Sequence, residues 1–496
     1  MLNLLKRIFG DSIVYGIGNV GQKLAGMLLV PIYTRFLVPN DYGILAITTS
    51  VVSVLGTVLG MGLNGSIVRL YHDESDSSAS TRGAELLGAG FVAYLSLGLP
   101  ICLALTIMGA PVFGALFKSM PFYPYLILAI WTAFFARAPM IPLGLLRARR
   151  QATLYVTISL GKLLLSFAGV IALVVGFGLG VYGAVMGTFV VSALFFAWTM
   201  YYVIREARGK QLHLRSAGLA LLSFGIPLIP HALSGWMLEA SDRYVLERMT
   251  TLSDVGIYNF GYQVGSIGKL VLMAVSFAWV PIYYGLAKKD ASQASALGGR
   301  VFTVILLMIS SVTVAVMLFA NEVVGLLGTK GYLEATQIVP TIAFAYLMQG
   351  MYSISAVVML QSKRTRTLAM ISVPCAAVNI GLNILLIRWL GVMGAAYATL
   401  ISFSLLWIVT HFVAQSIFRI QYEYGRIATI VALVGGIYLA LLAIPAILGS
   451  LGALAKAGLL VAYGGLLLLF RVVTLKQMRD VFRTLVGRRA ETPPTL

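Results

Sequence analysis

Apolar stretches of membrane-spanning length recur along the whole chain and constrain its fold more than any other feature. A bilayer core about 30 Å thick needs about 20 mainly apolar residues in each crossing helix. Runs of that length alternate here with short segments rich in charge, Pro or Gly, and only 11% of the 496 residues are charged. The sequence therefore predicts an all-α polytopic membrane protein with 14 transmembrane helices. The predicted spans, numbered 1 to 14, cover residues 12–35, 41–63, 84–109, 120–146, 152–176, 178–203, 216–240, 253–286, 299–327, 335–361, 367–388, 391–417, 427–448 and 452–474.

Basic residues in the loops predict the orientation of the chain. Lys and Arg accumulate in the short loops on the cytoplasmic side of a membrane. When the N-terminus is placed in the cytoplasm, the segments on the cytoplasmic side carry 25 basic residues and the loops on the opposite side carry 7. We therefore expect a multi-pass protein of the cell (inner) membrane with both termini cytoplasmic. This bias accounts for most of the net charge of +19, and since no soluble domain gathers the basic residues, nucleic acid is not an expected partner.

Internal sequence similarity divides the chain into two related halves. GVYGAVMGT at residues 180–188 returns as GVMGAAYAT at 391–399, and DYGI at 41–44 returns as DVGI at 254–257. The offsets nearly agree and each half contains six spans, so we expect parallel repeats related by an axis near the membrane normal. The predicted domains are an N-terminal lobe over 1–209, a C-terminal lobe over 210–422, and spans 13 and 14 with a basic cytoplasmic tail over 423–496.

Two charged segments interrupt the apolar pattern at equivalent places in the halves. YTRFLVPNDYGILA, residues 33–46, separates spans 1 and 2, and DRYVLERMTTLSDVGIYN, residues 242–259, separates spans 7 and 8. We interpret both as structural turns at the outer membrane face, one in each lobe. Span 7 also contains GIPLIP, residues 225–230. Its two prolines remove backbone hydrogen bonds and predict either a point of bending between the lobes or a static kink.

Residues that could support catalysis or metal binding are scattered. The four histidines lack metal-ligand spacing, and Cys102 and Cys375 both fall inside apolar runs. No Ser/His/Asp constellation is visible, and the loops offer no acidic metal-binding motif of the kind that a membrane glycosyltransferase would need. We therefore predict no catalytic residue, no metal site, no cofactor and no enzymatic activity.

Charged residues inside the predicted spans are basic, and they give the strongest indication of a ligand. None of the 17 acidic residues lies in the middle of a predicted span. A basic side chain in the membrane interior costs about 2.5 to 3.5 kcal/mol on insertion scales and usually faces a bundle interior or a water-filled cavity. Bases without deep acidic partners therefore predict a cavity that receives an anion. The candidates are Lys23 in span 1, Arg137 in span 4, Lys162 in span 5 and Lys269 in span 8.

One of these candidates, Arg137, has an alternative explanation for its position, and three further residues are secondary candidates for binding the anion. Arg137 lies near the cytoplasmic end of its span, where a long side chain can instead extend to the membrane surface. Arg35 and Arg243 stand at the outer ends of spans 1 and 7, where arginine costs little. Counting back twelve residues from each gives Lys23 and His231, so the two halves place related groups at matching depth. We keep Arg35, Arg243 and His231 as secondary binding candidates.

Several of these segments together resemble one family of membrane transporters. They are GNVGQKLAGMLLVPIYTRFLVPNDYGILA at 18–46, the DRYVL and LSDVGIY segments, and the GVxGA starts of spans 6 and 12. The pattern is similar to the polysaccharide-transporter branch of the multidrug/oligosaccharidyl-lipid/polysaccharide exporter superfamily, which includes the O-antigen and exopolysaccharide flippases. The similarity extends across essentially all of the predicted spans.

The resemblance implies a V-shaped bundle of two six-helix lobes around a central cavity. Such proteins move an undecaprenyl-diphosphate-linked oligosaccharide from the inner to the outer leaflet, for lipopolysaccharide or exopolysaccharide synthesis, by rocking of the lobes. The family's cationic cavity matches Lys23, Lys162 and Lys269 in character. Besides the lipid bilayer, the implied partners are a polysaccharide polymerase and a chain-length regulator, and a coupling cation is left open because no acid lies in mid-span.

Two rival functions belong to the same superfamily. A lipid II flippase for peptidoglycan would share the fourteen helices and a basic cavity, and genetic essentiality would favour it. A multidrug/cation antiporter would share the twelve-helix core but is expected to carry acids inside a lobe. The prediction of an anionic ligand therefore favours a glycan flippase over the antiporter.

Overall fold

The computed structural model describes residues 26–72, 79–210, 212–362, 364–444 and 451–472, and within these ranges it contains helices and short turns but no β-strand. Lys23 and the basic tail after residue 472 lie outside the described residues. Apolar side chains fill the interior of the bundle, and many large ones, such as Leu164 and Leu194, also lie on its surface. A surface of this kind suits contact with lipid rather than water.

Twenty α-helices follow one another along the described chain. In the first half they are α1 (Val30–Phe36), α2 (Pro39–Gly60), α3 (Leu63–His72), α4 (Ala79–Ile107), α5 (Gly109–Leu116), α6 (Ile127–Arg137), α7 (Met140–Ala148), α8 (Ala152–Ile171), α9 (Gly180–Ala207) and α10 (Leu214–Gly225). In the second half they are α11 (Ile229–Met249), α12 (Leu252–Gly265), α13 (Gly268–Lys289), α14 (Ala291–Leu318), α15 (Ala320–Leu327), α16 (Ala335–Gln361), α17 (Thr365–Leu390), α18 (Val392–Ile417), α19 (Tyr424–Ala443) and α20 (Ala453–Leu469).

Eleven helical stretches of the described residues are long and apolar enough to cross a membrane, which makes the chain a multi-pass membrane protein. The other three predicted spans do not meet this criterion of length and composition, each for its own reason. Span 1 is described only from Gly26, span 8 is divided into α12 and α13, and span 14 corresponds to α20, which is 17 residues long. The total of 14 therefore stays a prediction, whereas the all-helical membrane fold is confirmed.

The long helices pack into two bundles. In the N-terminal bundle, α6 packs against α2 and α9, and α8 packs against α9. In the C-terminal bundle, α18 packs against α16 and α17, α11 packs against α17, and α14 packs against α16. The helices α19 and α20 both lie against α14. The principal contact between the two bundles is that of α2 with α11 and α12.

The proline segment in span 7 marks the point where the chain passes from one bundle to the other. A short 3₁₀ turn at Ile226–Leu228 separates α10 from α11. The helix α10 packs on α3 and α4, so residues 214–225 lie against the N-terminal bundle although the sequence assigns them to the C-terminal lobe. At this junction a Cβ on Gly225 would lie 2.0 Å from the carbonyl oxygen of Met61. The two prolines end one helix and begin the next because a proline has no backbone N–H to donate.

The helices α2 and α12, which follow the two charged segments, begin in the same way. Each is preceded by a two-residue turn, at 37–38 and at 250–251, and each has an aspartate in its first turn, Asp41 or Asp254. Thr251 caps α12, since its Oγ1 accepts a hydrogen bond from Asp254 N at 3.1 Å. Each predicted segment contains a turn, and the two turns lie at the same end of the bundles, which we call the hairpin end. The second turn is shorter than predicted, because α11 continues through Asp242 to Met249.

Two glycines at matching positions let α2 and α12 cross in backbone contact. A Cβ on Gly43 would lie 1.9 Å from the carbonyl oxygen of Leu252, and a Cβ on Gly256 would lie 1.9 Å from that of Pro39. Each glycine therefore accepts the first turn of the opposite helix. The DYGI and DVGI repeats are thus the two halves of one contact between the bundles.

We expect Gly256→Ala to weaken this contact. The added methyl group meets a carbonyl oxygen that belongs to a helix backbone, and overpacking of this kind costs about 1–3 kcal/mol. The midpoint of thermal unfolding of the detergent-purified protein should fall, while Gly436→Ala, whose Cβ would meet no atom within 4 Å, should leave it unchanged. Equal midpoints for both variants would show that the crossing tolerates a side chain.

Candidate functional site

A cavity of about 1030 Å³ lies between the two bundles near the hairpin end. Hydroxyl side chains of α2 line one side of it, and charged and aromatic side chains of the C-terminal bundle line the other. The α2 residues are Thr49, Ser50, Ser53 and Thr57. The residues opposite include Glu239, Arg243, Asn259, Tyr262, Lys269 and Tyr346. A polar cavity inside an apolar bundle is a suitable place for a ligand with a charged group.

The structure separates the predicted binding residues into two groups. Lys269 and Arg243 line the central cavity on the side of the C-terminal bundle. Arg137 and Lys162 lie close together inside the N-terminal bundle and are not among the residues that line this cavity. The sequence therefore identifies Arg137, Lys162 and Lys269 as interior residues, but it assigns Arg243 to the outer end of a span and does not show that the four residues form two groups.

Lys269 has an acidic partner, which the sequence analysis did not expect. Its Nζ donates to Glu239 Oε1 at 2.6 Å and lies 5.6 Å from the centre of the Tyr346 ring. Gln349 Nε2 donates to the same Glu239 oxygen at 2.9 Å. Span 7 was predicted to end at residue 240, whereas α11 continues to Met249, so Glu239 lies in the middle of a helix. The expectation that the interior bases lack an acidic partner is therefore wrong at Lys269.

Arg243 is held by several groups at once and is only 6% exposed. Its Nη1 donates to Asp242 Oδ1 at 2.8 Å and to the carbonyl oxygen of Glu239 at 2.5 Å, and its Nε donates to Asn259 Oδ1 at 3.4 Å. The guanidinium also lies 4.1 Å from the centre of the Tyr262 ring. These contacts compensate the charge inside the bundle and fix the side chain in one position.

Arg137 and Lys162 present a different arrangement. Lys162 Nζ donates to the carbonyl oxygen of Ala136 at 3.1 Å, and Arg137 is the charged neighbour that acts on it. The Arg137 side chain passes beside Gly56 of α2, where a Cβ would lie 2.5 Å from Nε. Within the described ranges neither base forms an ion pair with Asp or Glu. Two adjacent positive charges of this kind attract an anion.

The secondary candidates do not form one site. His231 lies in a neighbouring cavity of about 260 Å³, where its Nδ1 is 3.2 Å from Ser372 Oγ. Arg35 is exposed at the end of α1, in contrast to the buried Arg243. Because Lys23 lies outside the described residues, its predicted role stays untested. The proposed equivalence of Arg35 and Arg243 is therefore one of position in the chain and not of environment.

Neutral polar side chains inside the C-terminal bundle form a network that the sequence analysis missed. Asn379 Nδ2 donates to Ser402 Oγ at 3.0 Å, and Ser241 Oγ donates to Asn379 Oδ1 at 3.1 Å. Asn383, one turn later on α17, donates to the carbonyl oxygen of Asn379 at 3.0 Å. Two asparagines four residues apart in an apolar span share one helix face, and this pattern could have predicted a polar contact inside the bundle.

A carboxylate joins the bundles at the hairpin end. Glu247 of α11 is fully buried and accepts hydrogen bonds from three successive backbone N–H groups in the turn after α5. They are Lys118 N at 3.0 Å, Ser119 N at 2.5 Å and Met120 N at 3.0 Å. Hydrogen bonds between backbone amides and a carboxylate are among the strong ones in proteins. Glu247 therefore fastens the C-terminal bundle to a turn of the N-terminal bundle.

A second set of contacts closes the same end. Tyr332 Oη donates to the carbonyl oxygen of Leu37 at 2.9 Å, and Thr329 Oγ1 donates to that of Thr34 at 3.3 Å. Both donors come from the segment between α15 and α16, and both acceptors lie at the end of α1. Together with Glu247 and the glycine crossing, these contacts hold the bundles together at the hairpin end.

The sequence profile of the polysaccharide biosynthesis protein family matches residues 8–284, which is more than half of the chain. The chain belongs to this family. The resemblance to the polysaccharide-transporter branch is thereby confirmed, and the protein is a membrane transporter of polysaccharide biosynthesis. The matched region contains both charged segments and all four described basic residues of the two groups.

Curated relatives of this family member come from bacteria and archaea. The Lsg locus putative protein 1 of Haemophilus influenzae is 22% identical over 354 residues, 69% of this chain and 83% of the relative. The succinoglycan biosynthesis transport protein ExoT of Rhizobium meliloti is 27% identical, over 60% of this chain and 58% of the relative. The probable low-salt glycan biosynthesis flippase Agl15 of Haloferax volcanii is 21% identical over 42% of this chain and 44% of the relative.

Solved structures show that this family member shares its fold with other transporters. The lipid II flippase MurJ in an inward closed conformation superposes with a TM-score of 0.71, over 96% of this chain and 100% of that chain, at 13% identity. An inward-facing multidrug resistance MATE family transporter superposes with a TM-score of 0.61, over 80% of this chain and 94% of that chain, at 14% identity. At these identities the likeness concerns the fold alone.

We expect Glu247→Ala to loosen the hairpin end. The substitution leaves three backbone N–H groups without their acceptor, and each buried donor without a partner costs about 1–3 kcal/mol. Ser50→Cys, on the cavity wall, supplies a thiol for a membrane-impermeant maleimide added to whole cells. Labelling of this thiol should increase when Glu247→Ala is also present.

The matched control for this experiment is Glu334→Ala, which removes an exposed carboxylate before α16. It should leave the labelling of Ser50→Cys unchanged. If Glu247→Ala also leaves it unchanged, the carboxylate does not hold this end closed.

Proposed function

We propose that the protein is a flippase that moves a polyprenyl-diphosphate-linked oligosaccharide from the cytoplasmic to the outer leaflet of the inner membrane. The observation that carries the proposal is the set of basic side chains inside the membrane bundle, two at the central cavity and two in the N-terminal bundle. Membership in the polysaccharide biosynthesis protein family supports a glycan as cargo. Undecaprenyl is the lipid that the family resemblance implies.

The diphosphate group is the part of this substrate that the basic residues recognise. Its oxygens accept charge-assisted hydrogen bonds, and arginine presents a planar group that binds two phosphate oxygens at once. Arg137 and Lys162 offer two adjacent positive charges. Lys269 at the central cavity is paired with Glu239, so it binds a phosphate only when that carboxylate is displaced. Arg243 is held by Asp242 and shapes the positive side of the cavity. Lys23, three residues before the cavity-lining Gly26 in the sequence, is proposed to add a further charge.

Alternating access explains why the bundles are joined at one end. From the distribution of Lys and Arg in the loops, we assign the hairpin end to the outer side of the membrane. Glu247 and the glycine crossing close the cavity at this end. Substrate would therefore enter it from the cytoplasmic side. Rocking of the bundles would then expose it to the outer leaflet, where a polysaccharide polymerase with its chain-length regulator would use the product.

A multidrug/cation antiporter remains the rival that the structure bears on most directly. Such a protein is expected to carry acids inside a lobe, and Glu239 and Asp242 are acids of this kind. Each of them is neutralised, however, Glu239 by Lys269 and Asp242 by Arg243. The cavity therefore offers no unpaired acid on α11 to a cationic drug, and an anion stays the favoured ligand. A coupling cation and a lipid II substrate stay open.

Removing the basic residues should abolish glycan export without removing the protein from the membrane. A charge-assisted hydrogen bond contributes about 1.5–3 kcal/mol, so Lys162→Ala is expected to lower export roughly tenfold to a hundredfold. Lys23→Ala should have the same effect. Surface polysaccharide is measured in cells that carry each variant as their sole copy, beside the amount of protein in the membrane fraction.

Lys330→Ala is the control, because Lys330 is an exposed lysine in a short turn. Normal export by Lys162→Ala and Lys23→Ala at normal protein levels would overturn the assignment of these two residues. Cell death on loss of the protein, in place of loss of a surface polymer, would favour the lipid II flippase.

A further inference from the structure

The carboxylate of Glu239 lies where an anionic ligand of Lys269 would have to bind. Its Oε1 is 2.6 Å from Lys269 Nζ at the wall of the central cavity. The side chains of this pair are 38% exposed for Glu239 and 24% exposed for Lys269. Both groups are therefore within reach of a ligand in the cavity, and an anion that binds Lys269 must compete with the carboxylate.

The neighbouring pair does not have this property. Asp242 and Arg243 have side chains that are only 3% and 7% exposed, and Arg243 also donates to the carbonyl oxygen of Glu239 and to Asn259. Tyr258 Oη donates to the second oxygen of Asp242, so that carboxylate is held as well. The two ion pairs thus differ. Asp242–Arg243 is fixed inside the bundle, whereas Glu239–Lys269 lies at the cavity wall.

Glu239 also has a second donor on the side away from the central cavity. Gln349 Nε2 donates to the Oε1 of Glu239 at 2.9 Å, and both residues line the smaller cavity that contains His231. Glu239 therefore lies at the junction of the two cavities. When the carboxylate leaves Lys269, it can therefore turn toward the smaller polar cavity and keep its hydrogen bond from Gln349.

We propose that Glu239 is an exchangeable counter-anion, which neutralises Lys269 in the empty transporter and is displaced from it by the diphosphate of the substrate. This inference rests on the proposed function, because it names how the same cavity takes up and releases an anion. A diphosphate carries more negative charge than one carboxylate and can therefore displace it. After the bundles rock, the tethered carboxylate competes for Lys269 again and promotes release of the product.

Binding of a soluble polyprenyl diphosphate tests the exchange. The probe is farnesyl diphosphate, with farnesol as the uncharged control, titrated into the full-length detergent-purified protein by calorimetry. Glu239→Gln keeps the size of the side chain and removes the competing charge, so it should bind farnesyl diphosphate about fivefold to tenfold more tightly than the wild type. In cells the same variant should export less polysaccharide, because release becomes slow.

A purely structural role for Glu239 predicts the opposite change in affinity for farnesyl diphosphate. If the carboxylate only positions Lys269, Glu239→Gln binds farnesyl diphosphate more weakly than the wild type, and the exchange is overturned. Unchanged affinity overturns it as well. Glu423→Gln is the matched control, because it removes a carboxylate that pairs with Arg426 at 2.6 Å outside the cavities, and it should change neither affinity nor export.

Lys269→Met separates the failure of this inference from a failure of the proposed function. Loss of farnesyl diphosphate binding in Lys269→Met, combined with no gain in Glu239→Gln, would retain the cationic cavity and reject the exchange. Equal binding of farnesyl diphosphate and farnesol by the wild type would reject both, since the diphosphate would then not be recognised at all.

Discussion

A charge inside an apolar helical bundle is costly unless a partner compensates it, and this constraint orders the interior of the protein. Arg243 is compensated by Asp242, by Asn259 and by an aromatic ring, and Glu247 by three backbone amides. Asp242 is the neighbour of Arg243 on α11, but Asn259 and the ring of Tyr262 lie on α12, and the three amides lie in the turn after α5. Compensation therefore also fixes how these segments lie against one another. The charged residues of α11 therefore determine the packing of the bundle as much as the apolar residues do.

The two halves use related sequences for one shared contact and then diverge. Gly43 and Gly256 are equivalent in the repeat, and each accommodates the backbone of the opposite helix. The equivalence does not extend to the preceding helices, where Arg35 is exposed and Arg243 is buried. The repeat thus preserves the contact between the bundles, while each bundle has its own charged groups.

Much of the fold was predictable because it depends on local sequence. Apolar runs gave most helices to within a few residues, and the repeated DYGI and DVGI segments gave the positions of the two turns. The site was less predictable, because its decisive contacts join residues far apart in the chain. DRYVLERM was assigned to a turn on account of its charges, and α11 continues through it because Arg243 and Glu247 find partners on other segments. Only the structure shows those partners, and with them the position of Glu239 in mid-helix.

The difference between the two basic groups suggests a division of labour. Within the described ranges Arg137 and Lys162 have no acidic partner, so an anion near them gains attraction without displacing a carboxylate. At Lys269 the same anion must displace Glu239, and the net gain is smaller. A transporter needs both properties, since it must attract its substrate and must also release it. In the proposed mechanism the N-terminal bundle would attract the substrate, and the exchangeable Glu239–Lys269 pair would keep its binding weak enough to reverse.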